Sequence, residues 1–422
     1  MKALFLGGLF PKDHEDDIYR NSKGIIQTAA NQLQWNLIEG LEAVMHQGID
    51  IITSVFIGSY PDLYTKIYHK AYSFSRRKDT DNLAIGFINV KGLEIYHKLT
   101  KLYRPVMKWI KSNENSKEKL VIFVYSAQPQ FLYTVKRIKT EYKDVRICLI
   151  VPDLPEYMTV NDKKTLLRYI YNRFMKDGLR RIVYDNIKYV DSFVILTEHM
   201  KEPLMINDRP YVVVEGVAGV YADDENPERI STGSFIDIVY TGTLARKYGI
   251  VDLVLEFMKI KDNRYRLVIC GEGDSRREIE SLAIKDPRVI FKGPREHKEV
   301  LKIQRQAALL VNPRKNDEEY TRYSFPSKTM EYMLSGRPVL MFRLDGIPRE
   351  YDEYLYYFDD WPKSSMAEVI TEICEAMPGK PDELGEKAKR YVLENKSPEK
   401  QSKKILDMVC GFLNKQKKSE IK

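Results

Sequence analysis

Short runs of β-branched and other apolar residues alternate along the chain with longer stretches in which apolar positions recur every three or four residues. The first pattern suits strands covered on both faces, and the second buries one face of a helix. Strands are expected at 3–9, 49–57, 120–125, 146–151 and 192–197, and in a second series at 236–241, 266–270, 289–292, 308–312 and 339–342. Helical patterns fill most of the gaps. Strand, helix and strand repeated in this way call for parallel sheets with right-handed crossovers. Between the two series, 218–234 is polar, rich in turn formers and without apolar period. It is expected to link two domains, 1–217 and 235–390. The expected class is α/β, with two doubly wound, Rossmann-like domains facing across a cleft. The tail starts as an amphipathic helix and closes on a solvated basic run.

Composition narrows this picture without redirecting it. The 422 residues exceed what one core supports, in keeping with two domains. Hydrophobic residues at 43% and charged residues at 30% fit a soluble globular chain. No apolar run reaches the roughly 18 residues of a membrane-spanning helix. The opening MKALFLGGLFPKDHEDD reads as a first strand and not as a secretory signal, because its short apolar run leads into acidic residues. Cys148, Cys270, Cys374 and Cys410 are scattered, with no C-x-x-C pair. That argues against a zinc site and a disulfide framework, and it fits a reducing cytoplasm. The net charge of +8 favours anionic partners. No nucleic-acid recognition motif accompanies it, so nucleic acid is not expected.

Residues 323–341, YSFPSKTMEYMLSGRPVLM, hold the densest candidate chemistry. Pro326 suits a first helical turn. Met330, Met333 and Leu334 are spaced to bury one face, Gly336 fits a left-handed helix stop, and Pro338 ends the helix before a return strand. Free N–H groups at such a helix start can hold a phosphate. Ser327 and Lys328 add a hydroxyl and a charge there. Glu331, one turn in, can accept hydrogen bonds from two adjacent ribose hydroxyls. A capped surface helix with Glu331 in solvent fits the same pattern.

This segment resembles the nucleotide-binding motif of glycosyltransferase family 4, the retaining GT-B enzymes. Glu331 matches the family's second Glu, and Ser335-Gly336-Arg337-Pro338-Val339 matches the small residue, Gly and Pro-Val strand after it. The first Glu of that motif would fall at Tyr323 and is absent. The Phe-Pro-Ser-Lys variant is similar to that of members that build bacterial surface polysaccharides. The resemblance extends in order over 236–357. YTGTLARKYGI at 240–250 looks like the loop that grips the donor diphosphate, with Gly242 and Gly249 in place. Its usual basic positions hold Thr243 and Tyr248, so Arg246 and Lys247 become the phosphate-neutralising candidates. CGEGD from Cys270 resembles the next turn through Gly271, and FKGPR resembles the turn near the nucleobase through Gly293 and Arg295. Asn312-Pro313-Arg314 ends the following strand, where the family often has Pro-Ser, and Gly346-Ile347-Pro348 with Glu350 resembles the loop after the return strand but has one extra residue, Arg349. In the first half, Gly7 and Gly8 resemble the family's glycine loop, though plain tight-turn glycines explain them equally. Asp153 resembles the acidic member of a post-strand His-Asp pair whose His is replaced by Pro152. The helix at 391–422 resembles the last GT-B helix, which crosses back to the first domain.

The resemblance implies a hexosyltransferase-type enzyme. It would move a sugar from a nucleotide-diphosphate donor to a saccharide acceptor with retention of configuration, in polysaccharide biosynthesis. Asp153, Arg246 and Lys247 are its catalytic candidates. Gly7, Gly8, Gly242, Gly271, Gly293, Arg295, Ser327, Lys328 and Glu331 are its donor-binding candidates. It implies no metal and no cofactor beyond the donor substrate. A GT-B sugar-nucleotide 2-epimerase and a non-catalytic sugar-nucleotide-binding subunit remain the alternatives. The basic amphipathic stretch 162–189 reads either as a membrane-surface helix or as a core helix with snorkelling cations. On the first reading, the enzyme works in the cytoplasm at the inner membrane face, against an anionic surface and on a lipid-linked acceptor.

Overall fold

Lys2–Gly7 (β1), Leu120–Tyr125 (β7) and Arg146–Val151 (β8) are buried along almost every residue, as their unbroken apolar runs require. They form the centre of the first of two units in a computed structural model of the chain. It describes residues 1–24, 26–157, 177–219, 235–359, 361–376 and 383–420. Unit 1 comprises Met1–Val217 with Pro398–Lys422, and unit 2 comprises Ala218–Ser397. Most of the expected linker, 220–234, lies outside the described residues, as does 162–176 of the basic stretch. Of that stretch, 177–186 is helical and Ile187–Tyr189 forms a 3-10 turn.

The remaining strands of unit 1 are Asp50–Thr53 (β2), Tyr68–His69 (β3), Tyr72–Phe74 (β4), Asn82–Ala84 (β5), Phe87–Ile88 (β6), Ser192–Ile195 (β9) and Tyr211–Val213 (β10). The main sheet runs β10-β9-β8-β7-β1-β2-β5-β4. It is parallel except for the antiparallel edge strand β4, and β3 pairs with β6 separately. The strand expected at 49–57 stops at Thr53. Beyond it the backbone turns, and Ser54 and Phe56 donate instead to the carbonyls of Gly7 and Gly8. Strands of two or three residues such as β3, β5, β6 and β10 are too short to show a period of two, so the hydrophobic pattern does not predict them.

The helices of unit 1 include Glu15–Asn21 (α1), Thr28–Met45 (α2), Leu93–Lys101 (α3), Tyr103–Asn113 (α4) and Pro129–Glu141 (α5). In α2, Trp35, Leu37, Ile38 and Leu41 face one core with Phe5, Ile51 and Phe123. Ile405 and Val409 join that core from the end of the chain. Each fully buried side chain of this kind contributes about 1.5–3 kcal/mol.

Unit 2 contains Ile236–Thr241 (β11), Tyr265–Cys270 (β12), Val289–Gly293 (β13), Leu309–Asn312 (β14), Val339–Met341 (β15) and Tyr356–Tyr357 (β16). Its sheet is parallel throughout, in the order β13-β12-β11-β14-β15-β16. The helices are Ile250–Phe257 (α6), Arg276–Lys285 (α7), His297–Gln306 (α8), Ser327–Leu334 (α9), Met366–Glu375 (α10) and Glu383–Asn395 (α11). Pro398–Glu420 (α12) then returns to unit 1 and lies along α2, where Ser402 Oγ donates to the Leu37 carbonyl. Both units are doubly wound α/β layers, as the strand–helix alternation predicts. No helix among the described residues is long and apolar enough to cross a membrane.

Candidate functional site

In unit 2 the strand order reverses between β11 and β14, and open parallel sheets bind ligands beyond the carboxyl ends of the strands at that point. The helix α9 begins on this edge. Pro326 caps it with φ −66°, and Thr329 N–H bonds the Pro326 carbonyl at 2.8 Å. Met330, Tyr332 and Met333 are buried beneath it. Gly336, at φ 73°, supplies the left-handed stop that its sequence context predicts. Tyr332 pins the helix to the end of β11: its hydroxyl donates to the Thr241 carbonyl at 3.0 Å and accepts from Thr241 N–H at 2.8 Å. Burial pushes this phenol well up, so it stays a neutral donor.

That anchor fixes Glu331. Its carboxylate is 12% exposed, and its Oε1 accepts from Gln304 Nε2 at 2.6 Å and from Lys328 Nζ at 2.7 Å. Gln304 is fully buried on α8, and the same Nε2 also reaches Thr241 Oγ1 at 2.7 Å. Both donors converge on one carboxylate oxygen. Oε2 keeps its acceptor capacity, with no hydrogen bond from the described residues. Glu331 is thus a half-satisfied, nearly buried carboxylate and not a surface residue in solvent. Ser327 is exposed at the helix start.

The two neighbouring cations of this edge have different partners. Arg246 turns away to Glu278 on α7, with its Nη2 2.6 Å from both carboxylate oxygens. The pair is exposed and occupies one guanidinium nitrogen, so Glu278 competes with a phosphate for Arg246 without excluding one. Lys247 lies over the rings of Tyr248 and Tyr320, 5.2 and 5.3 Å from their centroids. Arg314, at the end of β14, covers the same two rings at 4.1 and 5.7 Å. Neither Lys247 nor Arg314 has a carboxylate partner among the described residues, and cation–π contact leaves their donors open. The loops that carry them interlock at Gly249. Its φ is 75°, and a Cβ there would meet the Pro313 carbonyl oxygen at 2.2 Å.

The other glycine turns stack along the same edge. Gly242 N–H bonds the Cys270 carbonyl at 3.0 Å, and Gly271 N–H bonds the Gly293 carbonyl at 3.0 Å. Arg295 folds back, its Nε donating to the Lys292 carbonyl at 2.9 Å and its Nη1 lying 3.8 Å from Glu299. Asn316 ties the loop before α9 to the one after β15 by donating to Asp345 at 2.9 Å. Tyr323 stands where the family motif has Glu, and Arg322 lies over its ring.

In unit 1, Gly7 closes β1. The Gly8 amide is taken by Gln34 Oε1 at 2.8 Å and the Phe10 amide by Asn31 Oδ1 at 2.7 Å. A Cβ on Gly8 would fall 2.0 Å from the Phe56 ring. This loop is therefore a packed turn whose Gly8 and Phe10 amides are committed to α2, and it does not offer them to a phosphate. Asp153 is exposed after β8, close enough to Tyr125 for its charge to reinforce the upward push of burial on that phenol.

Gln304, Thr241, Tyr332 and Tyr320 are not singled out by the sequence, and Tyr248 and Arg314 stand out there only as departures from the family's loops. Gln304 had one usable signal: it falls on the apolar stripe of α8 beside Val300 and Leu301, where an amide needs a buried partner. Among the described residues, no group of three or more His, Cys, Asp or Glu is arranged to hold a metal ion.

Residues 236–376 match the family model Glycosyl transferases group 1. No curated protein sequence matches the chain. Solved structures match over nearly all of it at low identity. Sucrose-phosphate synthase from Thermosynechococcus elongatus is 15% identical, with 98% of this chain and 100% of that one covered and a TM-score of 0.60. HepE from Anabaena, in complex with UDP, is 12% identical over 97% and 100%, with a TM-score of 0.60. The catalytic domain of starch synthase IV from Arabidopsis thaliana, bound to ADP and acarbose, is 7% identical over 98% and 99%, with a TM-score of 0.62. At these identities the likeness establishes the fold. The chain has the two Rossmann-like domains of the GT-B fold, and the second of them carries the match to Glycosyl transferases group 1.

Proposed function

We propose that this protein is a retaining, hexosyltransferase-type glycosyltransferase of family 4. It takes a sugar from a nucleotide-diphosphate donor and passes it to a saccharide acceptor in polysaccharide biosynthesis. The observation that carries the reading is Glu331: nearly buried at the switch point, held on Oε1 by Gln304 and Lys328, with Oε2 open to a ribose hydroxyl. The match of 236–376 to Glycosyl transferases group 1 supports it, as do the UDP and ADP bound in two structural neighbours.

On this reading the start of α9, with Ser327 and Lys328, meets the diphosphate, and Lys247 and Arg314 neutralise the charge that grows on it as the glycosidic bond breaks. The acceptor hydroxyl attacks the face the diphosphate leaves, so positioning and leaving-group stabilisation supply the rate. No metal or cofactor takes part. The acceptor is lipid-linked and the enzyme works at a membrane surface.

A thermal-shift screen of UDP-, GDP-, ADP- and TDP-sugars identifies the donor, since a ligand of the native state raises its apparent stability. Glu331→Gln then lowers the affinity for that donor about 10- to 100-fold by calorimetry, the worth of hydrogen bonds to a charged acceptor. Unchanged affinity removes Glu331 from the site. Hydrolysis of the donor without acceptor separates an enzyme from a binding-only protein, which releases no sugar.

A further inference from the structure

The C-terminal end of α3, the start of α4 and the outer face of α5 enclose a depression of about 370 Å³. It is lined by Leu99, Thr100, Lys101, Tyr103, Arg104, Tyr133 and Arg137. Three of these carry positive charge and none carries negative charge. Arg137 stacks its guanidinium 3.5 Å from the Tyr103 ring centroid, which spreads its planar donors in place. The Tyr103 hydroxyl donates to Glu141, which forms no ion pair with the three cations. Lys101, Arg104 and Arg137 have no carboxylate partner among the described residues. Three cations without a carboxylate partner around a concave, half-aromatic surface favour an anionic ligand there.

The surroundings limit what that anion belongs to. Leu93, Tyr96 and Thr100 share one face of α3, and the depression lies at the C-terminal end of that face. Leu93 is 52% and Tyr96 64% exposed, and Tyr133 at the rim is 37% exposed. The segment beside the start of α3 adds Leu63 and Ile67 from a loop and Tyr68 from β3, all about half exposed. Ser59 donating to Glu94 at 3.0 Å ties this segment to the start of α3, and the Tyr60–Asn89 and Asn89–Ile67 backbone bonds tie it to the residues just before α3. Aliphatic and tyrosine side chains left in water beside unpaired cations match the layered chemistry of a lipid interface, with apolar groups below the anionic headgroups and tyrosine between them.

We propose that this face of unit 1 docks on an anionic phospholipid surface, with a headgroup phosphate seated among Lys101, Arg104 and Arg137 and with Leu93, Tyr96 and Leu63 entering the interface. The assignment deepens the membrane part of the proposed function, and it stands or falls apart from donor binding in unit 2.

The test is flotation of the full-length protein with vesicles of phosphatidylcholine alone and of phosphatidylcholine with phosphatidylglycerol. Binding is expected only to the second. Lys101→Gln with Arg104→Gln is expected to weaken it about 30-fold, the effect of losing two interfacial cations. Tyr96→Ser, at an exposed position that folding does not need, is expected to weaken it without changing its salt dependence. Equal binding to both vesicles, no binding, or full binding by the double variant overturns the proposal. So does release from the vesicles by millimolar inorganic phosphate at constant ionic strength, which would mark the depression as a site for a soluble phosphate. Donor affinity, measured by calorimetry on the same variants, is expected to stay unchanged. Its loss in the wild type would bear on the glycosyltransferase reading and not on this one.

Discussion

At the level of single residues, charge partners decide which candidates can work. Arg246 and Lys247 are neighbours with the same formal charge, and both sit in a loop that resembles a phosphate grip. The fold gives Arg246 a carboxylate on α7 and gives Lys247 two tyrosine rings. The second arrangement leaves the ammonium without a carboxylate partner, and Arg314 joins it from a different loop. Replacing Lys247 and Arg314 together by Ala is therefore expected to weaken a nucleoside diphosphate about 10- to 100-fold and to leave the bare nucleoside nearly unaffected. Arg246→Ala is expected to change neither by more than about twofold, because it removes an exposed ion pair worth under about 1 kcal/mol. Competition binding with a nucleoside and its diphosphate checks all three, and equal losses for both ligands would count against the phosphate role. Glu331 was legible from its place in a helix-start motif. Gln304, which orients it, was not, because the contact joins α8 to α9 across the end of β11 and leaves no local spacing to read.

Elements matter here through where they stop. The strand expected at 49–57 ends early because the glycine turn after β1 captures its continuation, and the same turn spends its Gly8 and Phe10 amides on α2. The glycines were visible in the sequence. Which acceptors claim their amides was not, since Gln34 and Asn31 lie more than twenty residues away. Gly249 shows the opposite case. Its position before an amphipathic run marked a helix start, and the structure adds that the Pro313 carbonyl leaves no room for a side chain. Gly249→Ala combines a left-handed φ with that clash. It is expected to cost at least about 1–3 kcal/mol of unit 2 stability and to lower donor affinity, because it pushes the Lys247 and Arg314 loops apart. Denaturant titration reads the first effect and calorimetry the second. Wild-type values in both would mean that the loops move without consequence.

Across the whole molecule, chain order and spatial grouping diverge at one place. Residues 398–420 are the last in sequence, yet Ile405 and Val409 complete the core of the first unit against α2. Ile405→Ala is expected to destabilise unit 1 by about 2–5 kcal/mol while donor binding in unit 2 keeps its affinity. Calorimetric unfolding with and without donor distinguishes the two, and a loss of donor affinity at native temperature would contradict the grouping. The alternation of apolar runs and amphipathic stretches was enough to specify two doubly wound sheets, because the period of side-chain burial is set locally by backbone geometry. The position of α9 after β14 and the identity of Glu331 were equally local, carried by a cap, a spacing and a glycine stop. The pairing of Arg246 with Glu278, the seating of Gln304 under Glu331, the shared tyrosines of Lys247 and Arg314, and the cationic depression between α3, α4 and α5 came from folding alone. Each depends on contacts between residues far apart along the chain, and the free energy of such contacts is written in distances that no one-dimensional pattern records.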